Sequence, residues 1–233
     1  MIERIDKIIS SQTNYSRNDV KHLIKQKRVF INNNVVVKSD LKVNPLTDKI
    51  FIDNKELLFQ RNIYLILNKP KGYVSATRDN LDKTVLDLVP EKYRKKNLFP
   101  AGRLDKDTTG MMIITDDGLF AHNILAPNKH VNKTYKVIVD NEITDEMINS
   151  FHEGIMLNDG ICQSAKLKKI DKNIGIVILH EGRFHQIKRM FKTFNLEVLE
   201  LERIGMGNLS LPPDLDYGEI RELTTEELEK IKG

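Results

Sequence analysis

The stretch FPAGRLDKDTTGMMIITDDG, residues 99–118, sets a polar loop directly against an apolar strand. "MMIIT" (111–115), closed by the "DDG" turn signal, predicts a buried β-strand. In front of it, "GRLDKDTTG" (102–110) holds Asp105 and Asp107 two residues apart, with an arginine before them and two threonines and a glycine after. Local sequence leaves two readings open: a carboxylate held for chemistry, or a polar turn between buried strands. The rest of the chain has to decide.

Strands dominate on both sides of this segment. "IYLILNKP" (63–70) predicts a buried strand stopped by Pro70, and "TVLDLVP" (84–90) a short helix ended by Pro90. "LFAHNIL" (119–125) is helical, "KTYKVIV" (133–139) alternates as a strand, and "EITDEMINSF" (142–151) is a helix with Thr144 as N-cap. "CQSAKLKKI" (162–170) and "IGIVILH" (174–180) predict neighbouring strands. A helix over 185–194, a strand over 196–205 and a terminal helix over 224–231 follow. This order indicates an α+β domain with a largely antiparallel sheet flanked by helices.

The first 59 residues read as a separate small α/β module. Ile2, Ile5, Ile8 and Ile9 recur at helical spacing. "SRNDVKHLIKQKRV" (16–29) opens on Ser16 with Asp19 three residues on, a capping pair. Val20, Leu23 and Ile24 form its buried stripe, and Arg17, Lys21, Lys25 and Arg28 lie outward. "VFINNNVVV" (29–37) predicts a hairpin and "KIFIDNKEL" (49–57) a further strand. The join is expected at "FQRN" (59–62), giving domains 1–59 and 60–233.

Charge follows the same division. The net charge is +4, and residues 1–59 carry all of it, with eleven Lys/Arg against seven Asp/Glu; the remainder has twenty-six of each. A basic module on a neutral larger one suits delivery to a polyanion, although a solvated basic helix carries the same signature. The only cysteine, Cys162, makes no internal disulfide and no CxxC knuckle, which fits a cytoplasmic protein. "MIERIDKIIS" lacks the apolar core of a secretory signal, and the longest clean apolar run, "IYLIL" (63–67), is far too short for a membrane span.

The six histidines have no HxxxH or HxH spacing, and there is no G-x-S-x-G elbow, phosphate-binding loop or G-x-G-x-x-G fingerprint. The candidates left are carboxylate, cation and aromatic groups, with no metal and no cofactor. In "EGRFHQIKRMF" (181–191), Ile187, Met190 and Phe191 make an apolar stripe that Phe194 extends. At about 100° per residue Lys188 lies near its margin and reaches inward, while Arg189 and Lys192 face solvent or phosphate. Arg183 and His185 stand at the helix start, where free N–H groups favour an anion. Tyr135 is either an ordinary core ring or one that stacks on a nucleobase, with Lys133 and Lys136 beside it for phosphates.

"NKPKGYVSA" (68–76), "FPAGRLDKDTTGMMIITDDG", "NKTYKV" (132–137) and "EGRFHQIKRMF" occur here in that order. Together they resemble the ordered motifs of the bacterial rRNA pseudouridine synthases of the RsuA type, over nearly the whole chain. Residues 1–59 resemble the S4 RNA-binding domain that such enzymes often carry. The resemblance implies Asp105 as catalytic aspartate, Tyr135 packing on the target uracil, Lys188 pairing with Asp105, and Arg103 beside the extruded nucleotide. Asp107 falls where the family varies. "APNKHVNKTYKV" (126–137) is most similar to the small-subunit enzymes, implying uridine 516 of 16S rRNA, free or in an assembling particle, as substrate; a monomer is the default expectation. A 23S rRNA target and a non-catalytic S4-domain assembly factor are the alternatives. The reaction detaches uracil at N1–C1′ and rejoins it through C5, after the base has left its stack. A carboxylate either attacks C1′ or removes a proton at C2′.

Overall fold

The computed structural model describes residues 2–93 and 97–232. Two compact units emerge, Met1–Asn62 and Ile63–Gly233, which divide at the end of the FQRN stretch.

In the first unit β1 (Glu3–Arg4) leads into α1 (Ile5–Gln12), followed by α2 (Arg17–Lys25). The Ser16 hydroxyl accepts from the Asp19 amide and the Asp19 carboxylate accepts from the Ser16 amide, the capping box read from the sequence. β2 (Val29–Ile31) and β3 (Asn34–Val35) form a hairpin, and β4 (Lys42–Val43) returns to pair with β1. Residues 49–57 are not one strand. They form a second hairpin, β5 (Ile50–Ile52) and β6 (Lys55–Glu56), because Asp53 and Asn54 take positive φ (51° and 65°) and reverse the chain. Ile5, Ile8, Ile9, Val20, Leu23 and Ile24 are buried against Val29 and Ile50. Ile2 is exposed.

In the second unit the strands are β7 (Tyr64–Lys69), β8 (Phe99–Ala101), β9 (Thr109–Thr115), β10 (Lys133–Val139), β11 (Met156–Leu157), β12 (Gly160–Ile161), β13 (Lys166–Asp171), β14 (Ile174–Leu179), β15 (Val198–Met206), β16 (Leu209–Ser210) and β17 (Ile220–Glu222). The main sheet runs β13-β14-β10-β15-β9-β7-β17, with β16 on β15 and β8 on β9. Every pairing among the described strands is antiparallel except β15 with β9. Helices α3 (Gly118–Leu125), α4 (Asp145–Glu153), α5 (Gln186–Lys192) and α6 (Thr225–Lys232) cover it. Leu65, Leu67, Met112 and Ile114 face one core with residues of α4 and α5. Ile66, Met111 and Ile113 face the other, with Phe120 of α3 and Ile231 of α6. Burial on both faces explains why these central strands read as continuous apolar runs rather than alternating ones.

Two local expectations are revised. "CQSAKLKKI" is a strand only from Lys166, and "TVLDLVP" is a single 3-10 turn (Val85–Leu88); the β11–β12 hairpin, β8 and β17 carried no expectation, being too short to leave a periodicity.

The insertion of β15 between β10 and β9 matters most for the site. It sets Arg203 opposite both Gly110 and Tyr135. Gly110 has φ +98°, and a Cβ there would lie 2.3 Å from the Arg203 carbonyl oxygen, so only glycine admits this approach. The polar loop, the central tyrosine and the far strand thereby meet at one place.

Candidate active site

The loop 102–108 between β8 and β9 is fixed at several points. Leu104 donates its amide to Ser75 Oγ at 2.9 Å and accepts the Ser75 hydroxyl at 2.8 Å. Gly72 donates to the Lys106 carbonyl at 2.8 Å. Beneath the loop lies the ammonium of Lys69, fully buried at the end of β7. It donates to the carbonyls of Thr108 (2.7 Å), Asp105 (3.0 Å), Lys106 (3.3 Å) and Pro70 (3.3 Å). Burial lowers its pKa to about 8 against the pull of the Asp107 and Asp105 charges, and Arg203 lowers it further.

The Asp105 carboxylate is therefore presented from a rigid backbone. Its Oδ2 lies 3.5 Å from Lys188 Nζ and its Oδ1 3.4 Å from His185 Nε2, at one-quarter exposure. It is neither a plain turn residue nor out in bulk solvent. Lys188 reaches inward from α5 as its wheel position implies, but its closer partner is Asp107, at 2.7 Å to each carboxylate oxygen. The ammonium thus bridges two carboxylates, where the resemblance implied a pair with Asp105 alone. Burial raises the Asp107 carboxyl pKa, but the Lys188 hydrogen bond and charge outweigh it and hold the group below the ordinary aspartate value.

Tyr135, buried on β10, lines the same pocket. Val74, Leu104, Leu179, Ile187 and Leu201 supply its apolar walls and Arg103 stands exposed at its edge. Its volume is about 550 Å³, within the ~300–1,000 Å³ typical of small-ligand sites. Asp105 and Arg103, Tyr135, and Lys188 and His185, from three separate segments of the chain, all line it.

Several cations are placed otherwise than expected. Arg183 lines the pocket wall, but its guanidinium is bound to Glu181 (3.1 Å) and to the carbonyls of Gly160 (2.9 Å) and Ile161 (2.5 Å). Arg189, expected toward solvent or phosphate, is half-buried, paired with Asp159, and donates to the Phe184 carbonyl at 2.9 Å. Both clamp the β11–β12 hairpin to the start of α5. Glu181 completes this clamp, accepting from Gln163 N (2.9 Å) and Gln186 Nε2 (2.6 Å). Lys133 points inward with Tyr135 and donates to the His180 carbonyl at 2.6 Å, so it is not open to a phosphate. Burial lowers its pKa to about 8.

In the first unit Arg17, Lys21 and Lys25 are exposed along α2, and Lys21 and Lys25 line a shallow depression with Asn18, His22 and Ser39. Arg28 is exposed but bound at both ends to Asp53, at 2.6 Å each. Among the described residues no three His, Cys, Asp or Glu side chains gather as a metal site, and no helix is long and apolar enough to cross a membrane.

Sequence reasoning set Asp107 aside and passed over Lys69, Ser75 and the Glu181–Gln186–Asp159 group. A signal existed for Lys69: it continues the inward phase of Leu65 and Leu67, where a lysine needs a purpose. The Asp159 pairing had none, because its partners come from segments far apart in the chain.

Comparison with known proteins agrees with this architecture. Residues 63–193 match the model of the RNA pseudouridylate synthase family. The RNA pseudouridine synthase YtzG of Bacillus subtilis (strain 168) is 38% identical over 230 residues, covering 97% of this chain and 96% of the relative. Ribosomal small subunit pseudouridine synthase A of Escherichia coli (strain K12) is 36% identical, covering 98% and 99%. A crystal structure of a pseudouridylate synthase superposes with a TM-score of 0.70 at 33% identity, covering 98% of this chain and 99% of that one. With the motifs, the fold and these relatives in agreement, the chain belongs to the RNA pseudouridine synthases, isomerases that act on uridine in RNA.

Proposed function

We propose that this enzyme converts uridine 516 of 16S rRNA to pseudouridine, with Asp105 as the catalytic carboxylate, Tyr135 packing on the uracil, and no cofactor. The observation that carries the assignment is the Asp105 carboxylate, 3.5 Å from the Lys188 ammonium and 3.4 Å from His185 in the pocket that Tyr135 lines. The carboxylate acts on the ribose, by attack at C1′ or by taking a proton from C2′. As the N1–C1′ bond breaks, the departing uracil gathers negative charge, which Lys188 balances. The C5–C1′ bond then forms as the carboxylate leaves C1′, or as the proton it took returns to C2′; C5 gives up its proton and N1 gains one, so Asp105 ends unchanged. Nothing is oxidised or reduced, and no group enters or leaves, so the reaction needs no cofactor.

Residues 1–59 act in this reading as an S4-type RNA-binding module, with Arg17, Lys21 and Lys25 toward phosphates. The small-subunit target is supported by relatives of that name, which match along almost the whole chain. The test is a pseudouridine map of rRNA from cells lacking this protein. Loss of modification at uridine 516 supports the proposal. A missing site in 23S rRNA moves the target to the large subunit, and an unchanged map refutes a role in rRNA modification.

A further inference from the structure

Phe184 is a large apolar side chain left in water. It is 74% exposed, although it lines the pocket that holds Asp105 and Tyr135. No other phenylalanine among the described residues ranks with the exposed large hydrophobic side chains. Burial does not explain its presence here.

The backbone that carries the ring is held in place, and its neighbour His185 takes the left-handed conformation, φ +47°. The two rings stack with centroids 3.8 Å apart and planes 19° from parallel. The Phe184 carbonyl accepts from Arg189 Nη1, and the preceding residue, Arg183, is bound to Glu181, Gly160 and Ile161. On its inner side the imidazole lies 3.4 Å from Asp105. Carboxylate, imidazole and phenyl thus follow one another outward from the pocket. One face of the phenyl is covered by His185, and the other has no ring partner among the described residues.

The chemistry of an RNA substrate supplies such a partner. A uridine that leaves its stack to enter the pocket strips one face of the base next to it. An exposed aromatic at the pocket mouth restores that contact, and any base can use it, because every base has a π-face. We infer that Phe184 stacks on the base adjacent to the target uridine and holds the substrate open. Phe184 is a positioning residue: it touches the RNA but not the reacting atoms. The inference rests on the proposal that this pocket receives the uridine.

The test uses the full-length enzyme with unmodified 16S and 23S rRNA transcripts, taking the one that the native protein modifies. Asp105→Asn is the control for the site itself. Phe184→Ala is expected to raise both KM and Kd by on the order of 5- to 150-fold, the range for one base–aromatic stack. The slope of log Kd against log salt is expected to stay unchanged, since every cation that meets a phosphate is retained. Phe184→Tyr keeps a ring and is expected to bind like the native protein. An unchanged Kd for Phe184→Ala, a changed salt slope, or a Phe184→Tyr variant as weak as Phe184→Ala overturns the stacking role. If Asp105→Asn is inactive while Phe184→Ala is silent, the site stands and Phe184 falls. If Asp105→Asn still makes pseudouridine, the site assignment itself has failed.

Discussion

The buried ammonium of Lys69 donates to the main-chain carbonyl of Asp105 at 3.0 Å, and to three more carbonyls around it. A cation under the loop thus fixes the backbone from which the carboxylate projects. Lys69→Met keeps the apolar stem but leaves four carbonyls short of this donor. Its stability is expected to fall by on the order of 1.5–3 kcal/mol, the range for a hydrogen bond to a charged group. Urea unfolding should show a lower midpoint with an unchanged slope. Turnover should fall more than RNA affinity, because the loop is mispositioned while the basic helix α2 is intact. A variant with native stability would mean that the clamp contributes nothing.

Lys69 and Lys133 are both held near pKa 8, below the ordinary lysine value of 10.5, by burial. Below pH 8 both folded and unfolded states are protonated, and the cost of the buried charges is fully present. Between 8 and 10.5 the unfolded chain holds more protons, so these groups add stability as pH rises. The gain is up to about 3 kcal/mol per lysine. The measurable consequence is a difference: the rise in Tm between pH 8 and 10 should shrink in Lys133→Met relative to the native protein. An identical rise in both would show that Lys133 is not perturbed.

Asp105→Asn removes charge and almost no volume. Pseudouridine formation is expected to fall by more than ~10³-fold, with RNA affinity near native. Lys188→Met should lower kcat by on the order of 10²–10³-fold, as for loss of one stabilising donor. Asp107→Asn removes the closer but exposed partner of Lys188, and should cost less than about tenfold, since exposed pairs contribute ~1 kcal/mol or less. Single-turnover assays with transcribed rRNA separate the three; an Asp107 effect as large as that of Asp105 would reverse their assignment.

The cations should sort into two groups by salt dependence. Replacing Lys21 and Lys25 by glutamine should flatten the slope of log Kd against log salt by about 0.7–0.9 for each phosphate that a lysine no longer neutralises. Arg183→Met should leave that slope alone and lower Tm instead, because its guanidinium holds the β11–β12 hairpin. If Arg183→Met changes the slope, the arginine meets phosphate after all.

Much of this molecule was written in local patterns. The Ser16 and Thr144 caps, the buried Ile5–Ile8–Ile9 stripe and the strand alternation around Tyr135 depend on residues a few positions apart, so sequence alone was enough to read them. The inward reach of Lys188 followed from its place on α5. The partners of the other cations did not. Arg189 finds Asp159, Lys133 finds the His180 carbonyl, and Lys69 finds the loop 105–108 only after the sheet has formed. A long cationic side chain settles on whichever acceptors the fold brings within about 3 Å, and those acceptors are mostly main-chain carbonyls that look alike in every residue. The sequence therefore determined the elements and the candidate groups. The tertiary structure, by seating β15 between β10 and β9, decided which charges face the pocket and which hold it together.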